Sequence, residues 1–254
     1  MIVDIHSHII PGIDDGSKSM EMTLEMIRNA EKEGTKEIVA TPHYLLEYGE
    51  ATIIDVKNHV KEINVLLENE KIDVKIYSGQ EVYFTKKIIE DYLEGNIGTI
   101  NDSRYMLIEL PMDKFDENTF DILYELQVRD IVPTIAHPER YKFFIEKPSL
   151  INEFIDQGYL FQMNSGSIEG KFGQNVKKTA DLFLTNNIYN FIGSDAHNIK
   201  SRNTGLKNAI ALLGKGMNKS IFQDSSEKIL KNVDIEFLGE RIKEKKSIFS
   251  FLKR

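Results

Sequence analysis

MIVDIHSHIIPGIDDG, residues 1–16, carries an apolar run (Ile2, Val3, Ile5) that passes directly into a His-x-His pair, His6 and His8. The run reads as a buried β-strand. In extended backbone, residues i and i+2 point to one side, so the two imidazoles would leave the strand together. The arrangement recurs along the chain. His43 follows the run 37–40, Glu81 follows 74–77, Glu109 ends 105–110, His137 follows 132–136, and Asp195 and His197 follow 189–192. Only the run 159–163 has no such residue at its end.

Helical patterns separate these runs. Residues 19–32 put Met22, Met26, Ile27 and Ala30 on one face and stop at Gly34, a natural C-cap. Residues 52–68 space Ile53, Val56, Val60, Ile63 and Leu67 helically. Further helices are expected within 117–129, 149–156, 175–185, 206–213 and 226–231. Strand–helix alternation of this kind predicts a parallel sheet with helices on its outer face. Seven units come close to the eight of the common barrel, so the expected class is α/β, a distorted, TIM-barrel-like (β/α)7 barrel. No Pro/Gly-rich linker breaks the alternation, which predicts one domain over residues 1–239 and a basic tail over 240–254.

In such barrels the carboxyl ends of the strands converge on one face, where active sites are built. His6, His8, His43, Glu81, Glu109, His137, Asp195 and His197 would therefore meet in one cavity. Imidazole with carboxylate is the ligand set of a hard-to-borderline divalent metal, and eight donors exceed the needs of a single ion. One buried histidine could merely satisfy a core hydrogen bond; ligand-type residues at six of seven strand ends favour metal. His59 lies in mid-helix without such partners and reads as a solvated side chain.

Composition narrows the rest. The 254 residues suit an α/β barrel, and 41% hydrophobic content supports a full core. A net charge of −8 argues against a general nucleic-acid binder. No apolar stretch approaches the ~18 residues of a membrane span, and a first strand starting at Ile2 leaves no room for a signal peptide. A cytoplasmic location is expected. The chain has no cysteine, which excludes thiolate nucleophiles and zinc-thiolate sites.

The segments DIHSHIIPGIDDG (4–16), ATPHY (40–44), GQEVY (79–83), LIELP (107–111), AHPERY (136–141) and GSDAHN (193–198) resemble the PHP (polymerase and histidinol phosphatase) superfamily. Within it the chain is most similar to the metal-dependent bacterial tyrosine-protein phosphatases that accompany capsule and exopolysaccharide gene clusters. The resemblance implies the PHP fold and a trinuclear site, usually manganese, with iron or zinc as alternatives. It would place His6, His8, Glu81 and Asp195 on one ion. Glu81 would bridge to a second, completed by Glu109 and His137. His43 and His197 would hold the third, with one aspartate of the Asp14–Asp15 pair, Asp14 preferred over Asp15. Arg140 and Arg202 become the phosphate-binding arginines, since guanidinium grips phosphate bidentately and keeps its charge. Where relatives often carry a histidine after the TPH histidine, this chain has Tyr44, a candidate hydrogen-bond donor to substrate.

The implied reaction is direct hydrolysis of phosphotyrosine by a metal-bridged hydroxide, without a phospho-enzyme. A phenolate leaves easily, so a strong general acid is less necessary; Asp14 or Asp15 is the candidate if uncommitted to metal. The implied substrate is a phosphotyrosine protein, a bacterial tyrosine kinase controlling capsule synthesis. The competing readings are a small-molecule phosphatase of the histidinol-phosphate type and an inactive scaffold. The tail KEKKSIFSFLKR (243–254) reads either as a weak partner- or membrane-surface segment or as a solvated extension.

Overall fold

Apolar runs rich in Ile and Val become parallel strands, and the amphipathic segments between them become their helical cover. The computed structural model describes residues 2–46, 48–213 and 220–243. Among the described residues there are nine strands: β1 Ile2–Ser7, β2 Thr35–Ala40, β3 His43–Tyr44, β4 Lys75–Ser78, β5 Glu81–Tyr83, β6 Tyr105–Glu109, β7 Val132–Ala136, β8 Leu160–Asn164 and β9 Phe191–Gly193. They form two wholly parallel sheets, β1-β2-β4 and β3-β5-β6-β7-β8-β9.

The seven expected strands are thus nine segments, because two runs break and resume. The first breaks at Thr41-Pro42, where proline lacks the N–H that a ladder needs. The second breaks at Gly79-Gln80, between β4 and β5. Single bonds carry the ladder across both gaps: Gly79 donates to the Ala40 carbonyl at 3.0 Å and Glu81 to that of Pro42 at 3.0 Å. The two ends of the curled array also meet. His8 N–H reaches the Ala196 carbonyl at 2.9 Å, and Asp195 N–H reaches that of His6 at 2.8 Å. His6, His8 and Asp195 are thereby brought side by side across some 190 residues of sequence.

Val3, Ile5, Val39, Leu107, Ala136, Leu160 and Phe191 share a core built mainly from the strands. Tyr105, Leu107 and Glu109 alternate along β6, so the strand leads from that core to the site. Outside, the helix Met20–Lys32 begins at Ser19, whose side chain accepts from Met22 N–H. The helix Ile53–Asn69 carries a Thr52/Asp55 capping box. Both press Met26, Ile27, Val56, Val60 and Ile63 against Ile38 and Ile76. No helix among the described residues is long and apolar enough to cross a membrane. Beyond the last helix, Ser220–Leu230, the chain is tied back to the body. Glu240 N–H bonds the Asn186 carbonyl at 2.8 Å, and Ile242 exchanges 2.8 and 2.9 Å bonds with the Asn152 side chain. Residues 240–243 of the expected tail therefore lie on the body; 244–254 fall outside the described residues.

Candidate metal centre

Every residue singled out at the strand ends arrives at one place. His6 is next to last in β1 and His8 follows it; His43 lies in β3, Glu81 opens β5 and Glu109 closes β6, while His137 follows β7 and Asp195 and His197 follow β9. Glu81 is the hub. Its Oε2 lies 3.2 Å from His6 Nε2, 3.3 Å from His8 Nε2 and 3.1 Å from His43 Nδ1, and its Oε1 lies 2.9 Å from His137 Nε2. Asp195 Oδ1 is 3.4 Å from His8 Nε2 and 3.4 Å from His197 Nδ1. Three groups of donors converge: His6, His8, Glu81 and Asp195; His43, Glu81 and Glu109; and His8, Asp15, His43 and His197. His137 stands beside the second, 3.5 Å from Glu109.

Two details depart from strand geometry. The Asp-x-His pair does not use extended alternation, because β9 stops at Gly193 and Asp195 turns left-handed (φ 50°), as does His137 (φ 30°). Such backbone costs about 1–3 kcal/mol per non-glycine residue and persists where its surroundings over-determine it. Here the Asp195 N–H is fixed by His6 and the His137 N–H by Gln162 Oε1 at 3.3 Å.

Asp14 does not occupy the position expected for it. Its buried carboxylate takes His8 Nδ1–H at 2.7 Å, His43 N–H at 3.1 Å and Gly16 N–H at 2.8 Å. Burial pushes its pKa up, but the bond and charge of His8, joined by the N–H groups of Gly16 and His43, together outweigh burial and hold it below the usual range. So engaged, the carboxylate is directed at His8, His43 and Gly16. It instead fixes the His8 tautomer with Nε2 toward Glu81 and Asp195, the usual second partner of a metal-binding histidine. The neighbouring Asp15 faces the cluster, with Oδ1 3.1 Å from His197 Nε2 and 3.7 Å from His43 Nε2.

Tyr44 also points elsewhere: its hydroxyl donates to Asp91 at 3.3 Å. The tyrosine that reaches the donor groups is Tyr48, which donates to Asp15 Oδ2 at 2.9 Å. Arg140 and Arg202 do reach the site, but through Asp195. Arg140 Nη1 donates to its Oδ2 at 2.8 Å and Arg202 Nη2 to its Oδ1 at 2.6 Å, with Asn164 Nδ2 on Oδ2 at 2.6 Å. The Arg140 guanidinium also lies 4.8 Å over the Phe172 ring. His59 is half-buried on its helix, with Glu62 4.0 Å away.

The strand without a ligand candidate, β8, supplies braces. Gln162 Oε1 lies 2.9 Å from His6 Nδ1, and Asn164 holds Asp195. Buried Glu139 accepts from Asn164 N–H at 3.0 Å and from the Tyr189 hydroxyl at 3.0 Å. Amides and tyrosines are too common in sequence to be singled out. Their signal was position: 162 and 164 alternate at the end of a strand, as His6 and His8 do.

The donor set fits divalent cations. Asp15 Oδ1, His43 Nδ1, His137 Nδ1 and His197 Nε2 are buried without a hydrogen bond of proper geometry, an expensive state for groups that usually find partners. Burial pushes His43 and His137 down to about 4, so both rings are neutral at pH 7, the form that ligates. Burial would raise Glu81, but the imidazoles of His6 and His43 hold it well below the ordinary range. Burial and the Glu81 charge push Glu109 the other way, since two carboxylates this close resist sharing full charge without a cation between them. All donors are nitrogen or oxygen, which suits hard-to-borderline ions.

A curled parallel α/β sheet with a nitrogen–oxygen donor cluster at its carboxyl ends defines a class of metal-centred protein. The match of residues 2–231 to the capsular polysaccharide synthesis family CpsB/CapC places this chain in that family, to which it belongs. Among its relatives, CapC of Staphylococcus aureus is 37% identical over 95% of this chain and 93% of its own length. The tyrosine-protein phosphatase YwqE of Bacillus subtilis is 31% identical over 98% of this chain and 100% of its own. A solved structure, described with YwqE of Bacillus subtilis and CpsB of Streptococcus pneumoniae as metal-dependent tyrosine phosphatases, superposes with a TM-score of 0.90. It is 31% identical and covers 96% of this chain and 100% of its own.

Proposed function

We propose that this chain is a cation-dependent protein-tyrosine phosphatase acting in the cytoplasm on a phosphotyrosine protein of the capsule machinery, a bacterial tyrosine kinase. The observation that carries the reading is the Glu81 carboxylate within 3.3 Å of four imidazoles, three at Oε2 and one at Oε1. A carboxylate shared in this way would suit divalent cations held together with the imidazoles. Family membership and the phosphatase relatives supply the substrate class. The two sheets would act as one seven-stave barrel, single-domain over residues 1–239, whose strand ends hold three manganese ions.

His6, His8, Glu81 and Asp195 would hold the first cation, Glu81, Glu109 and His137 the second, and His43, His197 and Asp15 the third. Bound there, divalent ions neutralise a phosphate dianion and lower the pKa of water, the two requirements of phosphomonoester hydrolysis. The protein's own groups do the positioning. Gln162 and Asp14 fix the tautomers of His6 and His8, and Asn164 aims Asp195. Arg140 and Arg202, about a fifth and a third exposed, stand at the rim where phosphate oxygens would arrive. A phenolate leaving group needs little protonation, consistent with the engagement of Asp14. In this reading the chain hydrolyses p-nitrophenyl phosphate with Mn²⁺ and stops in excess EDTA. Absence of turnover under both conditions would mark it as a scaffold.

The arginines act on phosphate and not on cation. A hydrogen bond to a charged group is worth about 1.5–3 kcal/mol, so Arg140→Ala and Arg202→Ala should each lower kcat/KM about ten- to a hundredfold. Because both compete with cations for Asp195, neither substitution should reduce metal content. Steady-state kinetics beside elemental analysis checks both halves; unchanged kinetics in both variants would place the arginines outside the reaction.

A further inference from the structure

Tyr48 looks like a surface side chain, 53% exposed, yet two features tie it to the cluster. Its hydroxyl donates to Asp15 Oδ2 at 2.9 Å, and its ring meets His43 edge-on, centroids 5.5 Å apart and planes at 69°. The turn that carries it is pinned. Leu45 N–H bonds the Gly49 carbonyl at 2.7 Å, and Gly49 N–H returns to Leu45 at 3.0 Å. Gly49 packs so closely that a Cβ there would lie 2.9 Å from the His43 carbonyl oxygen and 3.2 Å from Asp14 Cβ. Only glycine lets the turn lie on the Asp14–Asp15 loop and bring the hydroxyl to Asp15.

The two oxygens of Asp15 consequently differ. Oδ2 is taken by Tyr48, while Oδ1 is buried, without a hydrogen bond, and faces His197 and His43. We propose that Tyr48 is a positioning residue for the outer cation: its hydroxyl engages one carboxylate oxygen so that Asp15 offers only the other to the His43–His197 group. The inference rests on the cation-binding reading above and adds to it the residue that orients the Asp15 ligand. Without such a bond, the half-buried Asp15 carboxylate could present either oxygen or both. Hydrogen-bond partners behind a ligand are worth about ten- to a hundredfold in metal affinity.

Tyr48→Phe separates the hydroxyl from the ring, because it keeps the contact with His43 and removes only the donor. Mn²⁺ binding to the full-length protein is measured by calorimetric titration and metal analysis, for wild type, Tyr48→Phe and the reference Asp15→Ala. Asp15→Ala is expected to lose one ion, and Tyr48→Phe to weaken that same ion about ten- to a hundredfold with the others unchanged. If Tyr48→Phe binds as wild type while Asp15→Ala loses an ion, the hydroxyl has no positioning role and the proposal is overturned alone. It is equally overturned if Asp15→Ala keeps every ion. A wild-type protein that binds no Mn²⁺ would overturn the cation reading and this proposal together.

Discussion

His6→Ala and Asp195→Ala proteins are each expected to lose phosphatase activity almost completely while staying folded. His6 is fully buried, braced by Gln162, and stands 3.2 Å from Glu81; Asp195 gathers His8, His197, Asn164 and both arginines. Alanine at either position leaves no ligand atom where the imidazole or carboxylate stood. Cations held by such groups lower a phosphoryl-transfer barrier by several kcal/mol, and the loss of about 4 kcal/mol is about a thousandfold in rate. Both residues lie at strand ends rather than in the packed core beneath, so circular dichroism should remain native-like. Elemental analysis should find less metal in each. Full activity in either variant would contradict the assignment of the first donor group.

Chelation should have the second-largest effect, on activity and on stability together. The cluster crowds Glu81, Glu109, Asp14, Asp15 and Asp195 around five imidazoles, and several of its buried atoms lack partners. Cations that bind the folded form alone stabilise it by about 2.7 kcal/mol at a hundred times Kd. For a chain of this size that is roughly 5–10 °C in Tm per ion. We expect EDTA to abolish turnover and lower Tm, Mn²⁺ to restore both, and thiol-alkylating reagents to change neither, the chain having no cysteine. A melting temperature indifferent to EDTA and Mn²⁺ would count against a cluster that binds ions when folded.

The strand ends were legible because ligand-type residues stand out against Ile and Val, and parallel strands deliver their carboxyl ends to one face. Gly34 likewise announced a helix terminus in the sequence. What separates Asp14 from Asp15 is not composition but the loop. Asp14 turns back to cap Gly16 and hold His8, and Asp15, one residue on, faces His197. Tyr44 and Tyr48 raised the same difficulty, since the turn between Leu45 and Gly49 returns the second, not the first, to the cluster. The short strands beyond Pro42 and Gly79, β3 and β5, are too brief to carry a period. Gln162 and Asn164 were hidden for another reason: amides brace ligands without resembling them.

The central claim is that this cation cluster hydrolyses phosphotyrosine in proteins. Its most direct test is kcat/KM of the Mn²⁺-loaded protein on a phosphotyrosine peptide, measured beside histidinol phosphate. We predict turnover of the peptide with the higher kcat/KM, dependent on the cation. No turnover of the peptide, or a preference for histidinol phosphate, would contradict it.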